Sequence, residues 1–105
     1  MRKITREAAD AFVNGRNFSR QNMTVSHIGD HALMYLHGNR IAERTPDGVL
    51  HLTLAGWNPP TTRERLNGLL IVMGNTHGGA RFYQKDFDAY YGEREIESDE
   101  WITIT

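Results

Sequence analysis

The stretch MTVSHIGDHALMYLHGNRIAERTPDGVLHLTL, from Met23 to Leu54, decides the fold. Short runs in which apolar and polar residues alternate are separated by Gly29-Asp30, by Gly38-Asn39 and by the four-residue segment Thr45-Pro46-Asp47-Gly48. Alternation with a period of two is typical of strands that bury one face, and the separators are typical of hairpin turns. The stretch therefore predicts a four-stranded antiparallel meander.

The turns also predict a register and hence two faces. With Gly38-Asn39 as the turn, Leu36 faces Ile41, and the four-residue loop sets Ala42 opposite His51. The predicted core face is apolar and consists of Met34, Leu36, Ile41, Leu50, Leu52 and Leu54. The predicted outer face is mixed and consists of Leu33, Tyr35, His37, Arg40, Ala42, Arg44, His51 and Thr53.

One helix is predicted before the meander in the chain and another after it. The first begins with Thr5 as its N-cap. The second begins at Thr61, which has the capping-box spacing to Glu64, and an apolar stripe continues this helix to Met73. Gly68 inside the second helix costs stability relative to Ala, so we expect a neighbouring element to approach it closely.

The C-terminal third completes the predicted architecture. Tyr83, Phe87 and Tyr90 recur at helical spacing, which predicts a short third helix within residues 81–91. Residues 101–105 alternate and predict a final strand. The whole pattern indicates an α+β fold, with a four-stranded antiparallel β-meander, helices packed on one face and a C-terminal strand. We expect a single domain over residues 1–105.

Composition narrows the function. The chain has no Cys and a net charge of −1, which excludes thiolate chemistry and argues against strong nucleic-acid affinity of the whole protein. The charge is unevenly divided: residues 1–65 carry nine Lys and Arg against six Asp and Glu, and residues 66–105 carry three against seven. No apolar run approaches the roughly 20 residues of a membrane span, so no membrane association is predicted.

Catalytic and cofactor motifs are not recognised. The serines lie in no arrangement with His and an acid that is typical of a nucleophile. The glycine-rich segment at 75–79 matches neither a phosphate loop nor a dinucleotide fingerprint. His27 and His31 have the spacing of a zinc-protease pair, but Gly29-Asp30 between them is a predicted turn rather than a helix. We therefore predict no enzyme, no metal site and no cofactor.

The candidate binding residues form three groups. Arg63 and Arg65 follow a predicted helix start, where cations oppose the helix dipole and an anion would bind; pairing with Glu64, Asp30 or the acidic half is the alternative. The outer sheet face, through Tyr35, His37, Arg40 and His51, has the residue types that stack on bases and contact phosphates, and it equally fits a solvated or self-associating surface. Trp57 is the third candidate. Aromatic residues of the acidic half that stay exposed would form a protein-docking patch.

Three motifs carry a resemblance to a known group. Tyr35-Leu-His-Gly-Asn-Arg-Ile-Ala42, Leu54-Ala-Gly-Trp57 and Thr61-Thr-Arg-Glu-Arg-Leu-Asn-Gly-Leu69 resemble those of short proteins encoded by tailed bacteriophages and prophages. The acidic run at residues 93–100 departs from that group. The resemblance implies a phage accessory protein acting in the host cytoplasm, and it transfers no site residues.

These observations lead to one preferred function and two alternatives. We favour a small non-enzymatic phage accessory protein that binds a host or phage macromolecule, a protein in preference, for host takeover or inhibition of defence. The first alternative binds nucleic acid or a nucleotide through the outer sheet face and the arginine pair. The second, least favoured, is an enzyme with His51 as general base. A homodimer that buries the outer sheet face is also predicted.

Overall fold

A computed structural model describes residues 1–74 and 79–104, so most of the glycine-rich segment at 75–79 and the last residue of the predicted C-terminal strand lie outside the described residues. The helices within them are α1 (Lys3–Val13) and α2 (Pro60–Val72). The strands are β1 (Phe18–Arg20), β2 (Met23–Ile28), β3 (His31–Leu36), β4 (Asn39–Arg44), β5 (Leu50–Leu52), β6 (Phe82–Lys85), β7 (Asp88–Tyr91), β8 (Arg94–Ile96) and β9 (Ile102–Ile104).

Two antiparallel sheets organise these strands. The larger has the order β1-β2-β3-β4-β5-β9, and the smaller has the order β6-β7-β8. The predicted meander forms the centre of the larger sheet, with β1 as an additional edge strand. The predicted C-terminal strand is β9, which pairs Ile102 with Leu52 of β5. The α+β fold class is confirmed.

The core lies between the helices and the larger sheet. α1 packs on α2 and on β2 and β3, and α2 also contacts β4 and β6. Phe12 of α1, Leu66 and Leu69 of α2, and Met34 of β3 are almost fully buried together in this core. Phe82 of the smaller sheet packs against the edge of this core. The contacts together bury the apolar faces of α1, α2 and both sheets.

The register of β3 with β4 differs from the prediction. Tyr35 pairs with Arg40, and Leu36 pairs with Asn39, so the two turn residues are His37 and Gly38, whose φ angles are 51° and 78°. Positive φ at both positions is typical of the tight hairpin turn that matches strand twist. The predicted turn at Gly38-Asn39 is therefore wrong by one residue.

A β-bulge compensates for this shift. Met34 pairs with Ala42, and the next residue of β3, Tyr35, pairs with Arg40. Ile41 is therefore an additional, unpaired residue in β4. Both Ile41 and Ala42 are consequently buried, whereas Arg40 stays on the outer face. The predicted position of Ile41 on the core face is confirmed, but its predicted partner is wrong.

The register of β4 with β5 corrects the predicted outer face. Ala42 pairs with Leu52 and is buried, so its assignment to the outer face is wrong. Arg44 also lies on the helix side, where its guanidinium carbon is 5.7 Å from the centre of the Phe12 ring. Thr53 is buried as well. For Ala42 and Arg44 the cause is the unrecognised bulge, because one additional residue in β4 inverts the facing of the residues that follow it in this strand.

Both helices begin earlier than predicted. Arg2 precedes α1, and Thr5 is buried within the helix instead of capping it. Pro59 precedes α2, whose first residue is Pro60, and among the described residues no side chain caps this end. Proline suits the first helical turn because the N–H groups there have no partner within the helix, so the absence of an N–H in proline costs no hydrogen bond. The predicted capping box is wrong, since Glu64 bonds to other groups.

The segment at 81–91 is a hairpin rather than the predicted helix. Phe82 pairs with Tyr91, and Tyr83 pairs with Tyr90. Each strand alternates, so that Phe82 and Tyr91 point into the core, where their rings pack with centres 4.9 Å apart and planes tilted by 50°. Strand pairing buries these two rings on one face, which a helix with the same sequence would place on different sides.

Candidate functional site

Arg65 has its partners inside the protein. Its side chain is 4 % exposed, and Nη1 donates to Glu64 Oε1 at 2.5 Å and to Thr5 Oγ1 at 3.0 Å. Nη2 donates to Asn22 Oδ1 at 3.3 Å, while Nε has no partner among the described residues. The guanidinium therefore joins α2 to α1 and to the turn before β2.

Glu64 is the anion that this guanidinium faces. Its carboxylate also accepts hydrogen bonds from Thr5 Oγ1 and from the backbone N–H of Arg2, the latter at 3.2 Å. Burial favours the neutral acid, but the hydrogen bonds from Thr5, Arg2 and Arg65 outweigh burial, so the pKa of Glu64 lies below its ordinary value. The group ties the first residues of the chain to α2.

Arg63 stabilises the turn that leads into α2. Its Nη1 donates to the backbone oxygen of Asn58 at 2.5 Å and to Asn58 Oδ1 at 2.7 Å. These contacts hold the chain segment that crosses the N-terminal end of the helix. Both predicted arginines thus have partners in the chain, and their role in binding a foreign anion stays a prediction.

The outer sheet face keeps three of the predicted residues. Arg40 donates to the hydroxyl of Tyr35 at 3.2 Å, and its guanidinium carbon lies 5.6 Å from the centre of that ring. His51 Nδ1 is 3.0 Å from Thr103 Oγ1. Glu43 lies between them, 2.9 Å from His31 Nε2 and 3.8 Å from Arg40 Nη1. A carboxylate at this position offsets the positive charge that a phosphate contact needs.

His37 and Trp57, which are 20 positions apart, line one pocket of about 430 Å³. Its buried lining comes from Leu36, Ile41 and Leu54. Trp57 is 65 % exposed and lies in the loop between β5 and α2. Its backbone N–H donates to the backbone oxygen of Leu54 at 3.2 Å. The fold thus brings together two of the predicted residues over an apolar base.

The hairpin at residues 82–91 forms a second exposed surface. The aromatic hairpin, residues 82–91, carries Tyr83 and Tyr90 stacked on its outer face, with ring centres 5.3 Å apart and planes 10° from parallel. Phe87 occupies its turn and is 92 % exposed. Partial burial, and then the negative charges of Glu95 and Asp88, raise the pKa of Tyr90. This surface is both aromatic and acidic.

The sequence contains one pattern that indicates this hairpin, although helical spacing predicted a helix. The pairs Phe82-Tyr83 and Tyr90-Tyr91 are symmetric about the midpoint of Asp86-Phe87, as cross-strand partners must be in a two-residue hairpin. The turn itself lacks the usual glycine. Helical spacing of single aromatic residues was therefore the more visible signal.

Asn67 and a groove connect α2 with the aromatic hairpin. The side chain of Asn67 donates to the oxygen of Phe82 at 2.9 Å and accepts from its N–H at 2.8 Å. Beside this contact, a groove of about 570 Å³ is lined by the exposed side chains of Met1, Ile71 and Tyr83. Exposed apolar surface therefore extends from α2 onto the outer face of the hairpin.

These features define a small α+β protein with an aromatic, acidic hairpin and a separate pocket beside Trp57. The chain matches the Kyanoviridae Gp96 protein family over residues 1–105, and it belongs to that family. It is therefore a bacteriophage protein, as the resemblance implied. No curated protein and no solved structure matches the chain.

Two further observations concern residues 1–74 and 79–104. Neither α1 nor α2 has the length and apolar character needed to cross a bilayer. His, Asp and Glu side chains in these ranges do not gather in groups of three or more that would hold a metal ion.

Proposed function

We propose that this phage protein is a non-enzymatic accessory protein that binds a host or phage protein in the host cytoplasm, for host takeover or inhibition of host defence. One observation carries the proposal: the aromatic hairpin presents Phe87 to solvent, with 92 % of the side chain exposed, in a backbone conformation that Phe rarely adopts.

The turn of this hairpin is strained for its residues. Asp86 and Phe87 have φ angles of 51° and 71°, where a residue with a side chain costs about 1 kcal/mol or more relative to glycine. Asn-Gly or Asp-Gly is the usual solution at such a turn. The ring contributes almost no packing in the free protein, so its benefit is expected in a complex, where aromatic residues often dominate the binding energy.

The surroundings of Phe87 indicate the chemistry of the partner surface. Asp86 and Asp88 flank the ring along the chain, and the Tyr83–Tyr90 stack follows on the same hairpin. An aromatic side chain between carboxylates fits an apolar socket with a basic rim. The acidic charge also disfavours phosphate, which supports a protein over a nucleic acid as the partner of this surface.

The nucleic-acid alternative rests on a different surface. Tyr35 is half-buried and Arg40 is exposed on the outer sheet face, but Glu43 lies beside them and pairs with both His31 and Arg40. Binding of DNA or RNA through this face should weaken steeply as salt rises, and Arg40→Ala should reduce it. Light scattering after size exclusion tests the predicted homodimer on the same face.

The test of the proposed function is affinity capture from host lysate, with and without nuclease, followed by a binding measurement with the purified captured protein. Phe87→Gly should abolish capture and weaken binding at least about tenfold, as expected for a central aromatic anchor. Ile28→Ser is the matched control, because Ile28 is another exposed apolar residue (70 %) and lies on the larger sheet. The proposal fails if Phe87→Gly binds like the wild type, or if nuclease removes every captured component.

A further inference from the structure

The pocket beside Trp57 has a base formed by the fold and a mouth formed by two turns. Ile41 reaches the pocket through the β4 bulge, next to Leu36 and Leu54. His37 and Ala55 line it from left-handed backbone conformations, with φ angles of 51° and 60°. Its volume of about 430 Å³ lies within the roughly 300–1,000 Å³ typical of small-molecule sites.

The polar lining has unused hydrogen-bonding capacity. Thr62 is 4 % exposed, yet its hydroxyl has no hydrogen-bond partner among the described residues and is not sealed from solvent. The side chains of Asn39 and Thr61, which also line the pocket, have no partner in the described part of the chain either. Because water or a ligand can reach this hydroxyl, it can donate and accept hydrogen bonds with a molecule that enters the pocket.

The lining indicates which ligand would satisfy these groups. No Lys, Arg, Asp or Glu is among the described residues that form the pocket, so the site lacks a charged side chain for a phosphate or an ammonium group. An aliphatic chain or a phenyl ring would cover the amide and hydroxyls without bonding to them, which costs free energy. A flat ring with several donors and acceptors on its edge meets both the apolar base and the polar groups.

We propose that this pocket binds a nucleobase, stacked on the indole of Trp57 and hydrogen-bonded at its edge by Thr62 and Asn39. Base stacking on an aromatic side chain is favourable for every base, and the edge contacts then select among them. The base, rather than the phosphate, is recognised. This site is separate from the aromatic hairpin, so it extends beyond the proposed function and does not depend on it.

The test uses Trp57 as the reporter. Trp101→Phe leaves Trp57 as the only indole, and its fluorescence is titrated with adenosine, guanosine, cytidine and uridine, and with their 5′-monophosphates. At least one base should quench the fluorescence saturably, and its nucleoside should bind within about threefold of its monophosphate, a difference of under 1 kcal/mol. No quenching at millimolar ligand, or quenching by monophosphates alone, would overturn the proposal.

Variants separate the site from the fold. Thr62→Val removes the hydroxyl and keeps the shape, so it should weaken binding about tenfold while the melting temperature stays within a few degrees. Thr24→Val, on the larger sheet, is the matched control and should leave binding unchanged. Unaltered affinity of Thr62→Val would contradict the proposal.

Two comparisons distinguish neighbouring explanations. A single-stranded homopolymer of the preferred base distinguishes the two sources of the base: much tighter binding than the mononucleotide assigns the pocket to a base in a nucleic-acid strand, and equal binding assigns it to a free nucleoside. Phe87→Gly should keep nucleobase binding, and Thr62→Val should keep protein capture. Failure of one proposal is thus distinguishable from failure of the other.

Discussion

Gly68 of α2 lies directly against Thr5 of α1, and the missing side chain at position 68 is what allows the helices to meet there. A Cβ atom at this position would overlap Thr5 Cγ2 and come within 3.4 Å of Met1 Sδ. The expectation that a neighbour approaches Gly68 closely is thereby confirmed. The same contact places the Thr5 hydroxyl against Glu64 and Arg65.

Gly68→Ala should destabilise the protein although alanine favours helices. The helical gain of up to about 1 kcal/mol is smaller than the expected cost of overpacking, so the net loss should be about 1–2 kcal/mol in urea denaturation. Thr5→Ser removes the obstructing methyl and keeps the hydroxyl, so the double variant should recover most of that loss. A double variant no more stable than Gly68→Ala would show that the methyl is not the obstacle.

Arg65→Met should cost about 3 kcal/mol of unfolding free energy, because it leaves Glu64 and Asn22 without their shared partner in a mostly buried site. Arg63→Met is the comparison, since it removes only the contacts with Asn58 and should cost about 1 kcal/mol. Chemical denaturation of both variants checks the difference. Equal losses would contradict the assignment of Arg65 as the central contact between α1 and α2.

The ionised state of Glu64 should make folding dependent on pH. Its pKa in the folded protein lies below the ordinary 4.5, so its stabilising contribution is complete above pH 4.5 and is lost as the pH falls through the folded value. The stability difference between the wild type and Glu64→Gln should therefore shrink below pH 4.5. Thermal melts at several pH values measure this, and parallel curves would contradict it.

Asn67→Ala should loosen the contact between α2 and β6. It removes both hydrogen bonds to the backbone of Phe82, and we expect a loss of about 2 kcal/mol because two backbone groups lose their partner. Asn67→Asp keeps the acceptor but places a carboxylate oxygen where the amide donates to the oxygen of Phe82, so its loss in the same denaturation experiment should be at least as large. A smaller loss for Asn67→Asp than for Asn67→Ala would show that the donated bond has little weight.

Phe87→Gly should stabilise the isolated protein by about 0.5–1 kcal/mol while it removes partner binding. Glycine relieves the positive φ of 71° and converts the turn to Asp-Gly, whereas the lost ring contributes almost no packing. The midpoint of urea denaturation checks the gain. A lower midpoint would show that the exposed ring supports the fold, and Phe87 would then have a structural role in place of a docking role.

The sequence allowed prediction of those parts that depend on near neighbours in the chain. The alternating runs between Met23 and Leu54 and their turn residues were sufficient for the meander, its antiparallel order and the α+β class. The Gly38 turn was displaced by one residue, because the bulge at Ile41 depends on which side chains the core can accept. The Trp57 pocket was not predictable as a site, since its lining is drawn from the β3–β4 turn, from the segment after β5 and from the start of α2.

What the sequence by itself determined is therefore the set of local elements, whose signals act over a few residues of the same strand or helix. Tertiary structure decided the partners. Glu64 has the spacing of a helix cap to Thr61. Its carboxylate instead accepts hydrogen bonds from Arg65 and from Thr5, which is 59 positions away in the chain. Likewise, residues 82–91 can satisfy helical spacing, and they become a hairpin because burial of Phe82 and Tyr91 against α2 and the core outweighs that local preference.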